Sequence, residues 1–99
     1  MSCDNFDFEP ENPTASDLQR IEAIAGHYRE IIRLLGENPE REGLIKTPMR
    51  AAKAMWFATQ GYRTRPDEIL KQAIFEYAGS RMVVVKDIEF YSFCEHHIL

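Results

Sequence analysis

The chain has 99 residues, 44% hydrophobic and 28% charged, which is ordinary globular composition for at most one domain with a modest core. Its formal net charge of −4 argues against general affinity for nucleic acid or anionic membranes, so an anion site has to be a local cluster of Arg and Lys. No apolar run approaches the ~20 residues needed to span a bilayer, and the N-terminus has neither a basic start nor an apolar signal core, so the expected location is cytoplasmic.

Residues 1–15 read as a disordered acidic tail: Asp4, Asp7, Glu9 and Glu11 are interrupted by Pro10 and Pro13 without sustained periodicity. Phe6 and Phe8 are the residues of this tail able to dock on a neighbouring subunit. Ser16 followed by Gln19 is a capping-box signature, and Leu18, Ile21, Ala25, Tyr28, Ile32 and Leu35 then recur at steps of three and four. The pattern predicts an amphipathic helix ending at Gly36, its stripe widened by Ile24 and Ile31 so that it has to cover more than one narrow seam. His27 lies beside that stripe, where a lone imidazole more often hydrogen-bonds or faces solvent than holds a metal.

A charged connection, 38–46, leads into Thr47-Pro48, an N-cap with proline at the first helical position. The second helix would turn Met49, Ala52, Trp56 and Phe57 inward. Arg50 and Lys53, three apart, share a face near its start, which reads either as a solvated basic face or as an anion contact helped by the helix dipole. Gly61 closes this helix. Thr64 and Pro66 open a third, with Ile69, Leu70, Ala73, Ile74 and Tyr77 at helical spacing. After Gly79-Ser80 the run from Met82 to Phe93 is β-branched and aromatic, with Ile88, Phe90, Ser92 and Cys94 two apart, and predicts a strand. The organisation expected is a tail over 1–15, a helical region over 16–80 and the start of a sheet domain over 81–99.

The last eight residues, Ser92-Phe93-Cys94-Glu95-His96-His97-Ile98-Leu99, gather thiol, carboxyl and imidazole groups as no other stretch does. Cys94-x-x-His97 can bring a thiolate and an imidazole to one side of a turn, a donor set that suits zinc better than magnesium or calcium. Spacing alone leaves a second reading open, a buried cysteine with surface histidines, because a catalytic zinc normally has three protein ligands. Cys3, the other thiol, lies in the polar tail, so a reduced compartment fits better than a disulfide.

Ser92 to Leu99 resembles the active-site motif of GTP cyclohydrolase I. Arg41-Glu42-Gly43-Leu44-Ile45-Lys46-Thr47-Pro48-Met49-Arg50-Ala51-Ala52-Lys53-Ala54-Met55 and Met82-Val83-Val84-Val85-Lys86-Asp87-Ile88 resemble the same family in the same order. The resemblance runs from about Asp17 to Leu99 and covers the N-terminal half of the family's usual chain, which suggests a truncated chain. It implies an α+β fold, with N-terminal helices leading into the first strand of a tunnelling-fold antiparallel sheet, and assembly into a homo-oligomer that is a decamer in the family. The activity implied is conversion of GTP to 7,8-dihydroneopterin triphosphate and formate, which opens folate and pterin biosynthesis. Cys94 and His97 match the first two Zn2+ ligands, the third being a later cysteine, and His96 matches the acid-base histidine that makes C8 of the purine electrophilic. Arg50 and Lys53 match residues associated with the substrate's phosphates. The competing reading is a stand-alone, non-catalytic helical interaction or regulatory module.

Overall fold

The computed structural model describes residues 7–72 and 82–99. Its elements are α1 (Ala15–Leu34), α2 (Thr47–Ala58), a 3-10 turn over Gln60–Arg63 and α3 (Pro66–Gln72). They fall into two compact units, one running to Ala58 and the other starting at Thr59.

The predicted α1 is present, with its start moved. Thr14, not Ser16, is the N-cap: its hydroxyl accepts from the Asp17 backbone N–H at 3.0 Å, and the Asp17 carboxylate accepts from the Thr14 N–H at 3.0 Å. The capping box formed two residues before the expected one because aspartate at the third helical position can serve as its acidic partner. Ser16 therefore lies within the first turn. At the other end, the Gly36 N–H donates to the Arg33 carbonyl at 3.1 Å and the Glu37 N–H to the Ile32 carbonyl at 3.2 Å. This paired closure needs a left-handed residue after the cap, and Gly36, at φ 94°, supplies it without a Cβ clash.

α2 packs on α1. The core of the first unit is Ile21, Ala25, Ala52 and Trp56, with Ile24, Tyr28 and Met49 partly buried against it. Ala25 and Ala52 let the two backbones approach, and Trp56 fills the space beyond them, with the Arg20 guanidinium 5.3 Å from its ring centroid. The inward set expected for α2 holds for Ala52, Trp56 and Met49. Phe57 instead meets Phe8, with ring centroids 4.9 Å apart. Phe8, expected to be free or to dock on a neighbouring subunit, thus packs within its own chain; Phe6 lies outside the described residues. Along α1 the apolar stripe is only half covered: Ile31 is 50% exposed, Leu34 69% and Leu35 77%.

Gly61, expected to close α2, lies instead inside the 3-10 turn of the second unit, because α2 already ends at Ala58. α3 opens at Pro66 as expected and buries no residue. Ala73, Ile74 and Tyr77, and the expected boundary at 80/81, lie outside the described residues. Residues 82–94 form neither helix nor strand, and among the described residues no strand is present. A strand exists only when a partner receives its backbone hydrogen bonds, and no described segment offers one. Met82, Val83, Val84, Val85, Ile88 and Phe90 are consequently exposed.

The uneven burial along α1 gives a direct test. Ile21→Ala should destabilise the first unit by about 2–4 kcal/mol, whereas Leu35→Ala should change stability by less than about 0.5 kcal/mol. Urea titrations of the 99-residue chain followed by helical circular dichroism check both.

Candidate functional site

Three of the five residues singled out by sequence lie in one turn. Glu95–His97 forms a turn closed at both ends: the Ile98 N–H donates to the Cys94 carbonyl at 3.1 Å, and the Cys94 N–H donates to the Leu99 carbonyl at 3.2 Å. The closure holds Ile98 at φ 56°, a left-handed conformation that a β-branched residue adopts only when its surroundings impose it.

Closing this turn folds Cys94 and His97 together. The His97 backbone N–H donates to Cys94 Sγ at 3.2 Å, and His97 Nδ1 lies 3.7 Å from the same sulfur. The His96 ring stands beside that of His97, centroids 6.1 Å apart and tilted by 49°. Cys94 is exposed, and its thiol is lowered from the ordinary 9.0 to about 7. The largest cause is a hydrogen bond from the Leu99 backbone, followed by the His97 backbone and side chain, all of which favour the thiolate. The sulfur is therefore poised as a donor near neutral pH, with an imidazole nitrogen facing it. Among the described residues no group of three His, Cys, Asp or Glu side chains gathers around one point. The geometry brings a sulfur and an imidazole nitrogen to one point.

Arg50 and Lys53 lie in the other unit, on the early turns of α2. They line a cavity of about 370 Å³ with Lys46, Ile45, Met49, Asp7, Phe8 and Glu9. Arg50 Nε is 3.3 Å from Asp7 Oδ1, and Lys53 Nζ is 2.8 Å from Glu9 Oε1. The basic face thus carries two ion pairs instead of facing solvent alone. Lys46 was missed by sequence reasoning, although Lys46, Arg50 and Lys53 stand at i, i+4 and i+7 and the Arg50 N–H donates to the Lys46 carbonyl at 3.1 Å. Counting Lys46 as a loop residue hid the spacing.

The family model for GTP cyclohydrolase I matches residues 24–99, a span that includes the Cys94–His97 turn and the whole of α2. The chain belongs to the GTP cyclohydrolase I family. GTP cyclohydrolase 1 of Parabacteroides distasonis is 55% identical over 83 residues, covering 83% of this chain and 42% of the relative. The protein of the same name from Porphyromonas gingivalis is 58% identical over 87 residues, covering 85% of this chain and 45% of the relative. That from Bacteroides fragilis is 57% identical over 79 residues, covering 80% and 41%. The chain therefore spans less than half the length of these GTP cyclohydrolase relatives.

The lowered thiol gives the turn a measurable signature in the metal-free protein. In a Cys3→Ser background, alkylation of Cys94 by iodoacetamide should rise with a midpoint near pH 7, and His97→Ala should move it towards the ordinary 9.0. Because the closed turn lowers this pKa, its contribution to the turn is complete above the ordinary thiol value and is lost as pH falls through about 7.

Proposed function

We propose that this chain is part of a GTP cyclohydrolase I that hydrolyses GTP to 7,8-dihydroneopterin triphosphate and formate, the entry step of folate and pterin biosynthesis. The observation that carries the reading is the Cys94–His97 turn within the family match. A tetrahedral zinc with bonds of about 2.3 Å to sulfur and 2.0–2.1 Å to nitrogen holds those atoms about 3.6 Å apart. Sγ and Nδ1 are 3.7 Å apart without any metal, and the sulfur is already near its thiolate form at neutral pH. The residues fit Zn2+. When bound, zinc would lower the pKa of water towards about 7 and so would supply the nucleophile for C8 of guanine.

Two further roles fall to side chains of this chain. His96, adjacent to the ligand pair, delivers a proton to the imidazole nitrogen of the purine and makes C8 electrophilic, the task of a general acid within reach of that nitrogen. Arg50, with its planar fork, and Lys53, as a point charge, hold the triphosphate. The third zinc ligand and the guanine-holding groups come from sequence outside these 99 residues, in keeping with the 41–45% span of the relatives.

The tunnelling fold and the homo-oligomer belong to the same proposal. Val83, Val85 and Phe90 are exposed here, as are Ile31, Leu34 and Leu35 of α1. Partner strands and neighbouring subunits would cover such surface, and an apolar edge left bare promotes aggregation. No described helix is long and apolar enough to cross a membrane, and we assign the enzyme to the cytoplasm.

Three measurements check the reading. The full-length protein should bind about one zinc per subunit by metal analysis, and Cys94→Ala or His97→Ala should abolish it; retention of stoichiometric zinc by either variant contradicts the ligand assignment. Arg50→Ala/Lys53→Ala in the full-length enzyme should raise KM for GTP, as expected for loss of charge-assisted contacts of about 1.5–3 kcal/mol each. The 99-residue chain alone, given GTP and excess zinc, should release no formate above a zinc-only control, since its described residues bring together two zinc donors where a catalytic zinc takes three protein ligands.

A further inference from the structure

The acidic segment ahead of α1 returns to the basic face of α2 more than forty residues later in the chain. Three consecutive side chains make the contact: Asp7 to Arg50 at 3.3 Å, Glu9 to Lys53 at 2.8 Å, and Phe8 against the Phe57 ring at 4.9 Å between centroids. Arg50, Lys53 and Phe57 stand at i, i+3 and i+7 and so share one face of α2. Two carboxylates therefore sit on the cations that would hold a phosphate chain, and an aromatic ring anchors the segment between them.

The route back is short. The N-cap Thr14 tethers the segment to α1, and Pro10 and Pro13 stiffen the few residues between cap and contact, which reduces the entropy lost on docking. Tethering raises the local concentration of the carboxylates far above that of a free ligand. Against this, Asp7, Glu9 and Arg50 are half-exposed or more and Lys53 is partly buried, and pairs this open to water hold weakly. A docked segment of this strength covers the face in a substantial fraction of molecules and still yields to a ligand with several charges.

We infer that Asp7-Phe8-Glu9 is an autoinhibitory strap, an internal competitor that occupies the Arg50–Lys53 face and has to leave it before a polyphosphate chain binds there. The inference rests on the reading of Arg50 and Lys53 as phosphate contacts and adds a regulatory element to the same site. Anything that neutralises or draws off the strap raises the apparent affinity by the reciprocal of the open fraction. The competition is electrostatic, so it weakens as salt rises.

The test uses the full-length protein and inorganic tripolyphosphate, with affinity measured by isothermal titration calorimetry at low ionic strength. Asp7→Asn/Glu9→Gln should tighten binding about threefold to tenfold, and Phe8→Ala should tighten it in the same direction. The advantage of the neutralised strap should shrink at high salt. Glu11→Gln, a charge of the same tail that does not line the cavity, should leave the affinity within twofold of the parent, about the scatter expected for a single exposed charge. Unchanged or weaker binding by Asp7→Asn/Glu9→Gln overturns the strap, as does equal tightening by Glu11→Gln, which would signal a general charge effect. Arg50→Ala/Lys53→Ala separates the two ideas: if it weakens tripolyphosphate binding while the strap variants change nothing, the phosphate reading stands and the strap fails. If it leaves affinity unchanged, the phosphate reading fails and the strap with it.

Discussion

The packing of α2 on α1 is the contact from which the first unit follows. Ala52 is fully buried against α1, and with Ala25 opposite there is little side-chain volume to hold the helices apart. Trp56, one turn further on, then closes the seam under the Arg20 guanidinium. Once Pro48, Ala52 and Trp56 face inward, Arg50 and Lys53 lie on the outer part of the helix, where they meet charged groups of Asp7 and Glu9. A buried alanine thus sets the direction of two cations.

The second unit obeys a different logic. No residue of α3 is buried, and residues 82–94 expose valine, isoleucine and phenylalanine outside any helix or strand. What order exists near Cys94 comes from hydrogen bonds of residues within five positions of one another. A site assembled so locally needs no sheet to bring sulfur and imidazole together. Two donors by themselves fall short of the three protein ligands that a catalytic zinc normally has.

The two units illustrate the difference between forming a donor pair and forming an active site. Pairing Cys94 with His97 requires one turn, and lowering the thiol towards neutrality requires only nearby backbone donors and the His97 ring. Excluding water from a purine and surrounding its edges with polar groups requires enclosed volume, which a few helices and an unpaired apolar segment do not provide. The valines of 83–85 and the end of α1 are exposed here.

Much of this was legible in the sequence because the signals are local. The helical spacing of Ile21, Ala25 and Tyr28, the glycine after the first helix, Thr47-Pro48 at the start of the second and the spacing of Cys94 and His97 each depend on residues a few positions apart. Local competition shifted one boundary: Thr14 with Asp17 satisfied the helix start before Ser16 with Gln19 could. The tertiary structure decided what no short spacing encodes. Phe8 found Phe57, Asp7 and Glu9 found Arg50 and Lys53, and Lys46 joined the same cavity, because folding α1 onto α2 carried distant segments to one face. The predicted strand shows the converse, for its alternation was visible in Ile88, Phe90 and Ser92, yet a strand is a property of two segments and one segment cannot satisfy its own backbone.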